Sequence, residues 1–399
     1  MSGRATPGPT RRSLLAGAAA SVGLGATGTT DARAAGPIHG KPGLRTLSDR
    51  PIHAEAPVRL LDAEVTPNGA HFVRNHGHMS PRAEVGSLEG WSLTVDGEVG
   101  EPLELTLADL KRLRRHEAQL VIECAGNGRA GFRPAASGTP WTLGAVGCAR
   151  YTGVRLVDVL DAAGVRDSAV YVAYYGEDVP LSGNPDTVPI SRGCPIEKAL
   201  DGHTMLAWAM NGEPLPALHG FPLRLIVPGW PGSASGKWLT RLWVRDQVHD
   251  GPEMGGSSYR VPRYPVRPGA EVPEEGMAIL GEMPVKSIMT SPPGGTRVPR
   301  GAVVEIRGHA WSGAGHVEAV HLSTDFGATW AAAMVRRPAN RLAWQHFSAG
   351  LRFTEPGHYE VWARATDERG RMQPMVVPGW NPRGYLNNAM HRITIEVAA

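Results

Sequence analysis

Short runs of apolar residues alternate with turns along most of the chain, and few segments have the spacing of a helix. The runs end at Gly, Pro, Asn or Asp, as strands do when they lead into turns. Helical spacing is confined to short segments, at 107–110 behind a Thr106 N-cap and at 154–160. Residues 35–60 have no clear period and are expected to be irregular. The pattern predicts an α+β fold with many short strands.

The pattern changes after a proline-rich stretch, and this change divides the chain. Residues 36–262 mix strands with short helices and predict a mixed α/β domain. Residues 275–399 predict an immunoglobulin-like β-sandwich that serves packing or dimerisation. Its clearest strand patterns are 303–306, 317–322, 357–362 and 393–397. Residues 263–274 are predicted to be the linker between the two domains.

The first 35 residues have the features of an export signal. Arg11 and Arg12 stand directly before a short apolar stretch, and small residues at 32–34 suit a cleavage site. The apolar stretch is too short to span a membrane, and no later stretch is long and apolar enough to do so. We therefore expect export to the periplasm in the folded state by the twin-arginine route. A disordered basic tail is the alternative interpretation.

Composition limits the classes of partner. The 399 residues carry a net charge of only +3, so nucleic acid is not indicated as a partner. Three cysteines, an odd number, argue against a disulfide framework in an exported protein. There is no Cys-x-x-Cys-His motif for a c-type haem and no cysteine cluster for an iron–sulfur centre. Cys148 and Cys194 lack a charged neighbourhood and are predicted to be structural.

Cys124 stands in a different setting. It follows the apolar run 120–122 and enters the turn Ala-Gly-Asn-Gly, with Arg129 five residues further on. This pattern places the thiol at the end of a buried strand, where a rigid element presents side chains to a loop. A nearby guanidinium favours the thiolate, which is the form that binds metals or attacks electrophiles. Taken alone, however, a buried structural thiol is the commoner explanation.

Three polar clusters in the first domain are suited to an anion. One loop holds Arg74, Asn75 and His76, and a second segment runs from His219 to Arg224. A third loop of small residues ends in Lys237. Cationic side chains beside Gly-rich backbone can bind a phosphate or another oxyanion, and Arg can do so with two parallel hydrogen bonds. Each cluster alone is also compatible with a purely structural turn.

In their order and spacing, these segments resemble the sulfite oxidase family of molybdopterin enzymes, in the bacterial periplasmic sulfite dehydrogenase form without a haem domain. The motifs of the first domain that carry the resemblance are Arg74-Asn75-His76, Cys124-Ala125-Gly126-Asn127, Gly138-Thr139-Pro140-Trp141, His219-Gly220-Phe221-Pro222-Leu223-Arg224 and Lys237-Trp238-Leu239. Those of the second domain are Ala310-Trp311-Ser312-Gly313, residues 323–330 and Trp380-Asn381-Pro382-Arg383-Gly384.

The resemblance assigns roles to individual residues. Cys124 is expected to be the protein thiolate on molybdenum, with the pterin dithiolene as a further sulfur donor and no haem in this chain. The residues expected to hold the pterin and its phosphate are Asn75, His76, Asp178, His219, Arg224, Ser235 and Lys237. The residues expected around the substrate are Arg74, Arg129 and Arg383 as a cationic pocket, Trp141 as its wall and Tyr259 as a phenol beside the metal.

The activity implied by the resemblance is oxidation of sulfite to sulfate, with electrons passed to a separate periplasmic c-type cytochrome. A homodimer formed through the second domain is also implied. Three positions depart from the animal enzymes: Gly128 replaces an Arg, Ser137 replaces a Lys, and Gly236 replaces a larger residue. These changes reduce the positive charge near the pocket and leave other substrates open.

The alternatives keep the cofactor or dispense with it. A sulfane- or thiosulfate-linked dehydrogenase subunit of a sulfur-oxidising system, or another oxyanion oxidoreductase related to the nitrate enzymes, keeps the cofactor and changes the substrate. An exported binding protein that has lost the cofactor is a third interpretation. The intact set of Cys124, Arg74, Arg129, Arg383 and Tyr259 argues against that last interpretation.

Overall fold

Two β-rich parts make up the described chain, which comprises residue 1 and residues 38–399 of a computed structural model. The predicted export signal, residues 1–35, lies outside the described residues except for Met1. Within the described ranges, no helix is both long and apolar enough to cross a membrane. Strands are far more abundant than helices, which confirms the predicted α+β class.

The first part contains fifteen strands and four short helices. The strands are β1 (Arg45–Asp49), β2 (Ile52–Glu55), β3 (Val73–Arg74), β4 (Leu93–Gly97), β5 (Leu103–Leu105), β6 (Arg115–Glu123), β7 (Val146–Arg155), β8 (Tyr171–Gly176), β9 (Gly193–Pro195), β10 (Met205–Met210), β11 (Glu213–Pro214), β12 (Arg224–Ile226), β13 (Leu239–Arg245), β14 (Arg260–Pro262) and β15 (Met277–Ile279). The helices are α1 (Pro81–Val85), α2 (Leu107–Arg112), α3 (Leu156–Ala163) and α4 (Ile196–Ala199).

Two five-stranded sheets form the centre of this part. One has the order β11-β10-β7-β6, with β12 also paired to β10, and the other has the order β5-β4-β13-β8-β9. A smaller sheet joins β1, β2 and β3. The expectation that residues 35–60 are irregular is therefore wrong, because β1 and β2 form a paired hairpin there. Its partner β3 ends at Arg74, so the hairpin supports one of the polar clusters.

Local sequence explains the ends of the helices. Helix α2 begins at a complete capping box, in which Thr106 and Asp109 bond to each other's backbone N–H. Helix α3 begins two residues later than its spacing predicts. Val154 and Arg155 stay in β7, because they pair with Leu206 and Met205 of β10 and so satisfy their backbone groups in the ladder.

The second part is a sandwich of two antiparallel-rich sheets. Its strands are β16 (Lys286–Ser291), β17 (Thr296–Pro299), β18 (Val303–Trp311), β19 (Val317–Ser323), β20 (Ala331–Ala332), β21 (Met334–Val335), β22 (Gln345–Arg352), β23 (Gly357–Asp367) and β24 (His391–Ala398). The sheet orders are β16-β18-β22-β21 and β17-β24-β23-β19-β20. Buried residues of both sheets, such as Ile306 and Phe347 on one and Val361 and Ile395 on the other, form one core, as a β-sandwich requires.

A further apolar core lies between the two parts. It joins Val121 and Val146 of β6 and β7 to Ile288, Trp311 and Trp344 of the sandwich. The proline-rich segment between the parts is a loop whose two ends are held together, because β14 and β15 pair with each other. The domain boundaries inferred from the sequence stay a prediction, but the contact between the parts matters for the site, which lies next to it.

Candidate functional site

Cys124 is the first residue after β6, at the end that faces the sandwich. Its side chain is free and largely buried, with 8% of the residue exposed. The backbone N–H donates to Ala145 O at 2.9 Å, and the carbonyl accepts from Asn127 N at 2.9 Å. The strand and the tight turn therefore hold the thiol from both sides. Cys124 lines two neighbouring cavities, here called the inner and the outer cavity.

The inner cavity collects the residues expected to hold the pterin. Its lining includes His76, Asp178, His219, Arg224, Ser235 and Lys237, together with Cys124 and Arg74. Asn75 is not part of the lining but accepts a hydrogen bond from Lys237 Nζ through its Oδ1. This set comes from the loops after β3 and β8, from the start of β12 with the residues just before it, and from the loop between β12 and β13, so residues far apart in sequence converge.

The buried basic side chains in and beside the inner cavity favour the binding of an anion. Burial lowers the pKa of Lys237 and of His219 well below their ordinary values, and it lowers that of His71 to about 3. Burial also lowers the pKa of Lys41 to about 7, and its Nζ lies 2.5 Å from His219 Nε2. Burial removes water from the charged forms of these side chains and so destabilises them. A bound phosphate would stabilise the charged forms by pairing with them.

Unused hydrogen-bond capacity points to the same ligand. Arg224 Nε, His71 Nε2 and Asn75 Nδ2 are buried and lack a partner in the described structure. The Ser233 hydroxyl, in the cavity wall, lacks one as well. Buried polar atoms are nearly always hydrogen-bonded in folded proteins. A cluster of unpaired polar atoms at one cavity therefore fits a polar, anionic ligand. A pterin with a phosphate, bound next to a thiol, fits this set of donors.

The outer cavity collects the residues expected around the substrate. Its volume is about 340 Å³, and its lining includes Arg74, Arg129, Arg383, Trp141 and Tyr259 around Cys124. Among the described residues, no carboxylate lies within ion-pair distance of any of these three arginines. Their positive charge is therefore available to an oxyanion in the cavity.

Backbone and hydroxyl contacts fix two of these guanidinium groups. Arg129 donates from Nε to Arg383 O at 2.5 Å and from Nη1 to Thr139 O at 2.8 Å. Arg383 donates from Nε to Ser257 Oγ at 2.9 Å. The remaining N–H groups keep a fixed direction without being neutralised, which is the arrangement needed for bidentate binding of an oxyanion.

Tyr259 joins the two cavities. Its hydroxyl shares a hydrogen bond of 2.6 Å with His76 Nε2, and its ring stacks on Tyr385 at 5.4 Å between centroids. The guanidinium of Arg192 lies 4.3 Å from the ring centroid on a face of the phenol. Burial raises the pKa of Tyr259 and lowers that of His76 well below its ordinary value, so both groups are neutral near pH 7. The phenol therefore holds a proton next to Cys124.

Several lining residues were not predicted from the sequence. His53 lines the outer cavity, where its Nδ1 lies 2.8 Å from Thr139 Oγ1, and it pairs with Arg74 in the β2–β3 ladder. His71 and Tyr174 line the inner cavity, and Tyr385 lines the outer one. The only signal for His71 is its position three residues before Arg74. The others are brought in by strand pairing and by the sandwich, which local sequence does not encode.

The three departures from the animal enzymes have local causes. Gly128 has φ +94°, and a Cβ there would lie 3.1 Å from the Asn387 side chain, so this turn favours glycine over a larger residue. A Cβ on Gly236 would lie 2.4 Å from the Tyr174 ring, which occupies that space. Ser137 is exposed at the rim of the outer cavity. The rim therefore carries less charge than the cavity floor.

Cys148 and Cys194 lie apart from both cavities. Each is fully buried and free, and burial raises the pKa of each thiol to about 12. A thiol in this state is inert toward metals and electrophiles at neutral pH. Their surroundings agree with a structural role, in contrast to the cavity position of Cys124.

Comparisons with known proteins agree with this geometry. A family model described as "Oxidoreductase molybdopterin binding domain" matches residues 78–253, and one described as "Mo-co oxidoreductase dimerisation domain" matches residues 277–398. The chain is 36% identical to sulfite oxidase of Gallus gallus over 88% of this chain and 77% of that protein. It is 34% identical to mitochondrial sulfite oxidase of Rattus norvegicus over 89% of this chain, and the match spans 66% of the rat protein.

A solved structure shows the same fold over nearly the whole chain. The crystal structure of the sulfane dehydrogenase SoxCD from Paracoccus pantotrophus superimposes with a TM-score of 0.73 at 29% identity, covering 93% of this chain and 95% of that one. The fold and the site therefore define an oxidoreductase with a molybdenum–pterin cofactor. The chain belongs to the sulfite oxidase family, which confirms the resemblance seen in the sequence.

Proposed function

We propose that this protein oxidises sulfite to sulfate on its molybdenum–pterin cofactor. The observation that carries the proposal is the convergence of Arg74, Arg129 and Arg383 on one cavity beside Cys124. Three cationic groups without bound carboxylates match a small dianion. The reaction balances as sulfite and water giving sulfate, two protons and two electrons.

Each residue of the site has a physical task in this reaction. Cys124 and the residues of the inner cavity would hold the cofactor, which would supply the two-electron oxidation and the oxygen transfer when bound. Arg129 and Arg383, fixed by their backbone and hydroxyl contacts, orient the anion and stabilise its charge as it changes. Tyr259 donates a hydrogen bond in the cavity and keeps its proton, because its pKa is raised by burial.

A sulfane dehydrogenase is the second candidate. Two observations favour it: the match to SoxCD covers 95% of that chain, and the rim position 137 carries serine. An uncharged residue at this position suits a substrate other than a small free dianion, because such a substrate depends less on long-range attraction by positive charge. The cofactor and the role of Cys124 are the same in both cases, so the substrate alone separates them.

A steady-state assay separates the two candidates. Purified protein that contains molybdenum is given sulfite, with c-type cytochrome as electron acceptor, and cytochrome reduction is followed. Sulfite oxidation predicts saturable turnover that is lost in Arg383→Met and kept in Arg133→Met, which changes an exposed arginine outside both cavities. Absence of sulfite turnover, with turnover of a compound that contains sulfane sulfur, would favour the second candidate.

The cellular setting belongs to the same proposal. Arg11 and Arg12 before the short apolar stretch support export of the folded holoenzyme to the periplasm. A soluble c-type cytochrome is then the acceptor for the two electrons. The family model for residues 277–398 is described as a dimerisation domain, which supports a homodimer. Replacement of both arginines by lysine is expected to leave the protein, with its signal uncleaved, in the cytoplasm.

A further inference from the structure

The sandwich contacts the turn that carries Cys124 at three backbone carbonyls. Lys286 Nζ donates to Asn127 O at 2.9 Å, and Asn387 Nδ2 donates to Gly128 O at 2.7 Å. The N–H of Leu386 donates to Ala125 O at 2.9 Å. The first part of the chain therefore supplies the thiol, and the second part supplies the donors that bond to the carbonyl oxygens of its turn.

A buried ion pair connects the same turn to the sandwich. Lys286 Nζ lies 2.9 Å from Glu123 Oε1, and each side chain is only 3% exposed. Glu123 is the residue before Cys124, and its carboxylate also accepts from Asn127 Nδ2 at 2.9 Å and from Trp311 Nε1 at 2.8 Å. Every oxygen of the carboxylate is thus bound, and the ammonium group bridges both ends of the Glu123–Asn127 turn.

Such a pair is a poor source of stability. Removing two charges from water costs about as much as their attraction returns, so an apolar pair of the same volume is often equally stable. Instead, the pair fixes the orientation of both side chains, because each must keep one geometry to keep its hydrogen bonds. A metal ligand needs this kind of support, since a shift of about 1 Å at a reacting centre can lower the rate about 100-fold.

We infer that Lys286 of the sandwich is a positioning residue for Cys124, acting through Glu123 and Asn127. The inference rests on the proposed function only in taking Cys124 as the metal ligand. The sandwich then supports catalysis in a second way, in addition to placing Arg383 in the outer cavity. It acts from behind the turn and touches neither the substrate nor the cofactor, since neither Lys286 nor Glu123 lines the inner or the outer cavity.

The test removes the pair without leaving a buried charge. The double variant Glu123→Gln/Lys286→Met keeps the approximate volumes and is expected to fold and to bind about one molybdenum per chain. A matched control is Asp62→Asn/Arg307→Met, because that pair also joins the sandwich to the first part, at 2.9 Å, but lies away from the turn. Each holoenzyme is examined for kcat, KM, molybdenum content and the electron paramagnetic resonance spectrum of half-reduced molybdenum.

We expect the turn variant to lose about tenfold or more in kcat at nearly unchanged KM, with a shifted resonance spectrum. The control variant should have the kcat and the resonance spectrum of the wild type. A turn variant with wild-type kcat and spectrum would overturn the inference, and so would equal changes in the control.

A second readout does not depend on the cofactor. In cofactor-free protein, the thiol of Cys124 is expected to react several-fold faster with a small alkylating reagent in the turn variant than in wild type, because its turn is released. Cys124→Ser gives the background from the other two cysteines. An unchanged rate would contradict the inference. If wild type lacks sulfite turnover, the proposed substrate fails, whereas this rate still decides the role of Lys286.

Discussion

At the scale of single residues, three cysteines show how environment decides the function of one residue type. Cys148 and Cys194 lie within apolar cores, and burial raises the pKa of each thiol to about 12. Cys124 stands where two cavities meet, with arginines on one side and buried histidines on the other. The sequence predicted this difference from the turn and from Arg129. It did not predict His53 or Tyr385, because no local pattern connects them to Cys124.

Asp178 in the inner cavity gives a prediction about pH and stability. Burial raises the pKa of its carboxyl to about 6, above the ordinary 3.8. The folded state therefore binds a proton more tightly than the unfolded state, so stability falls as pH rises from about 4 to about 6 and stays lower above that. Asp178→Asn removes this loss of stability, because asparagine does not ionise. In cofactor-free protein, urea unfolding should show the variant more stable by about 2–3 kcal/mol at pH 7.5.

The same comparison at pH 4 supplies the control for Asp178→Asn. The two proteins should differ little there, because the carboxyl is protonated in wild type when folded. A difference in stability that does not change between pH 4 and pH 7.5 would contradict this account of Asp178.

Ser137 gives a prediction about substrate affinity. It is exposed at the rim of the outer cavity, where a lysine would add a positive charge near the entering dianion. Ser137→Lys should lower KM for sulfite about threefold at low ionic strength, with less effect at 0.5 M salt because exposed charges are screened. Ala331→Lys, on the exposed β20 of the sandwich, is the matched control. An equal effect in both variants would show that only net charge matters.

At the scale of elements, the sequence predicted what depends on neighbours along the chain. The structure confirms the N-cap at Thr106 and the strand before Cys124, because both signals are local. The hairpin β1–β2 was missed, since its strands are short and are stabilised by pairing with each other and with β3. Helix α3 begins later than the local spacing predicts for a related reason, because Val154 and Arg155 pair in the β7–β10 ladder. Long-range pairing overrode local spacing in both cases.

The capping box itself can be tested. Thr106→Ala removes the side-chain oxygen that accepts from Asp109 N, so the first turn of α2 loses one hydrogen bond. The free energy of unfolding should fall by about 1 kcal/mol. Lys111→Ala, on the exposed face of the same helix, should change it by less than about 0.5 kcal/mol. Denaturant unfolding followed by circular dichroism measures both, and equal losses would show that the cap contributes nothing.

At the scale of the whole molecule, the site depends on both parts of the chain. The first part supplies Cys124 and the inner cavity, and the sandwich supplies Arg383 and Tyr385 to the outer cavity. A purely supporting role was expected for the second domain from its strands alone. The apolar core between the parts, which includes Val121 and Trp311, holds these groups in one arrangement. The order of motifs predicted Arg383, whereas the contacts that place it could be seen only in the fold.

Assembly is a separate prediction at this scale. A homodimer through residues 277–398 predicts a mass in solution twice that of one chain, measured by light scattering or mass photometry at nanomolar concentration. The protein is examined with its cofactor and without its first 35 residues. A mass of one chain under these conditions would contradict the dimer. Because one chain supplies Cys124 and the residues that line both cavities, we expect turnover per chain not to change with dilution.

The central claim is that Cys124 binds molybdenum in the protein that carries these two cavities. X-ray absorption at the molybdenum edge, measured on the purified holoenzyme, counts the sulfur atoms bound to the metal. The account predicts three sulfur ligands in wild type and in Cys148→Ser, and two in Cys124→Ser, which should also lose sulfite turnover. The same sulfur count in wild type and Cys124→Ser, or turnover retained in Cys124→Ser, would contradict it.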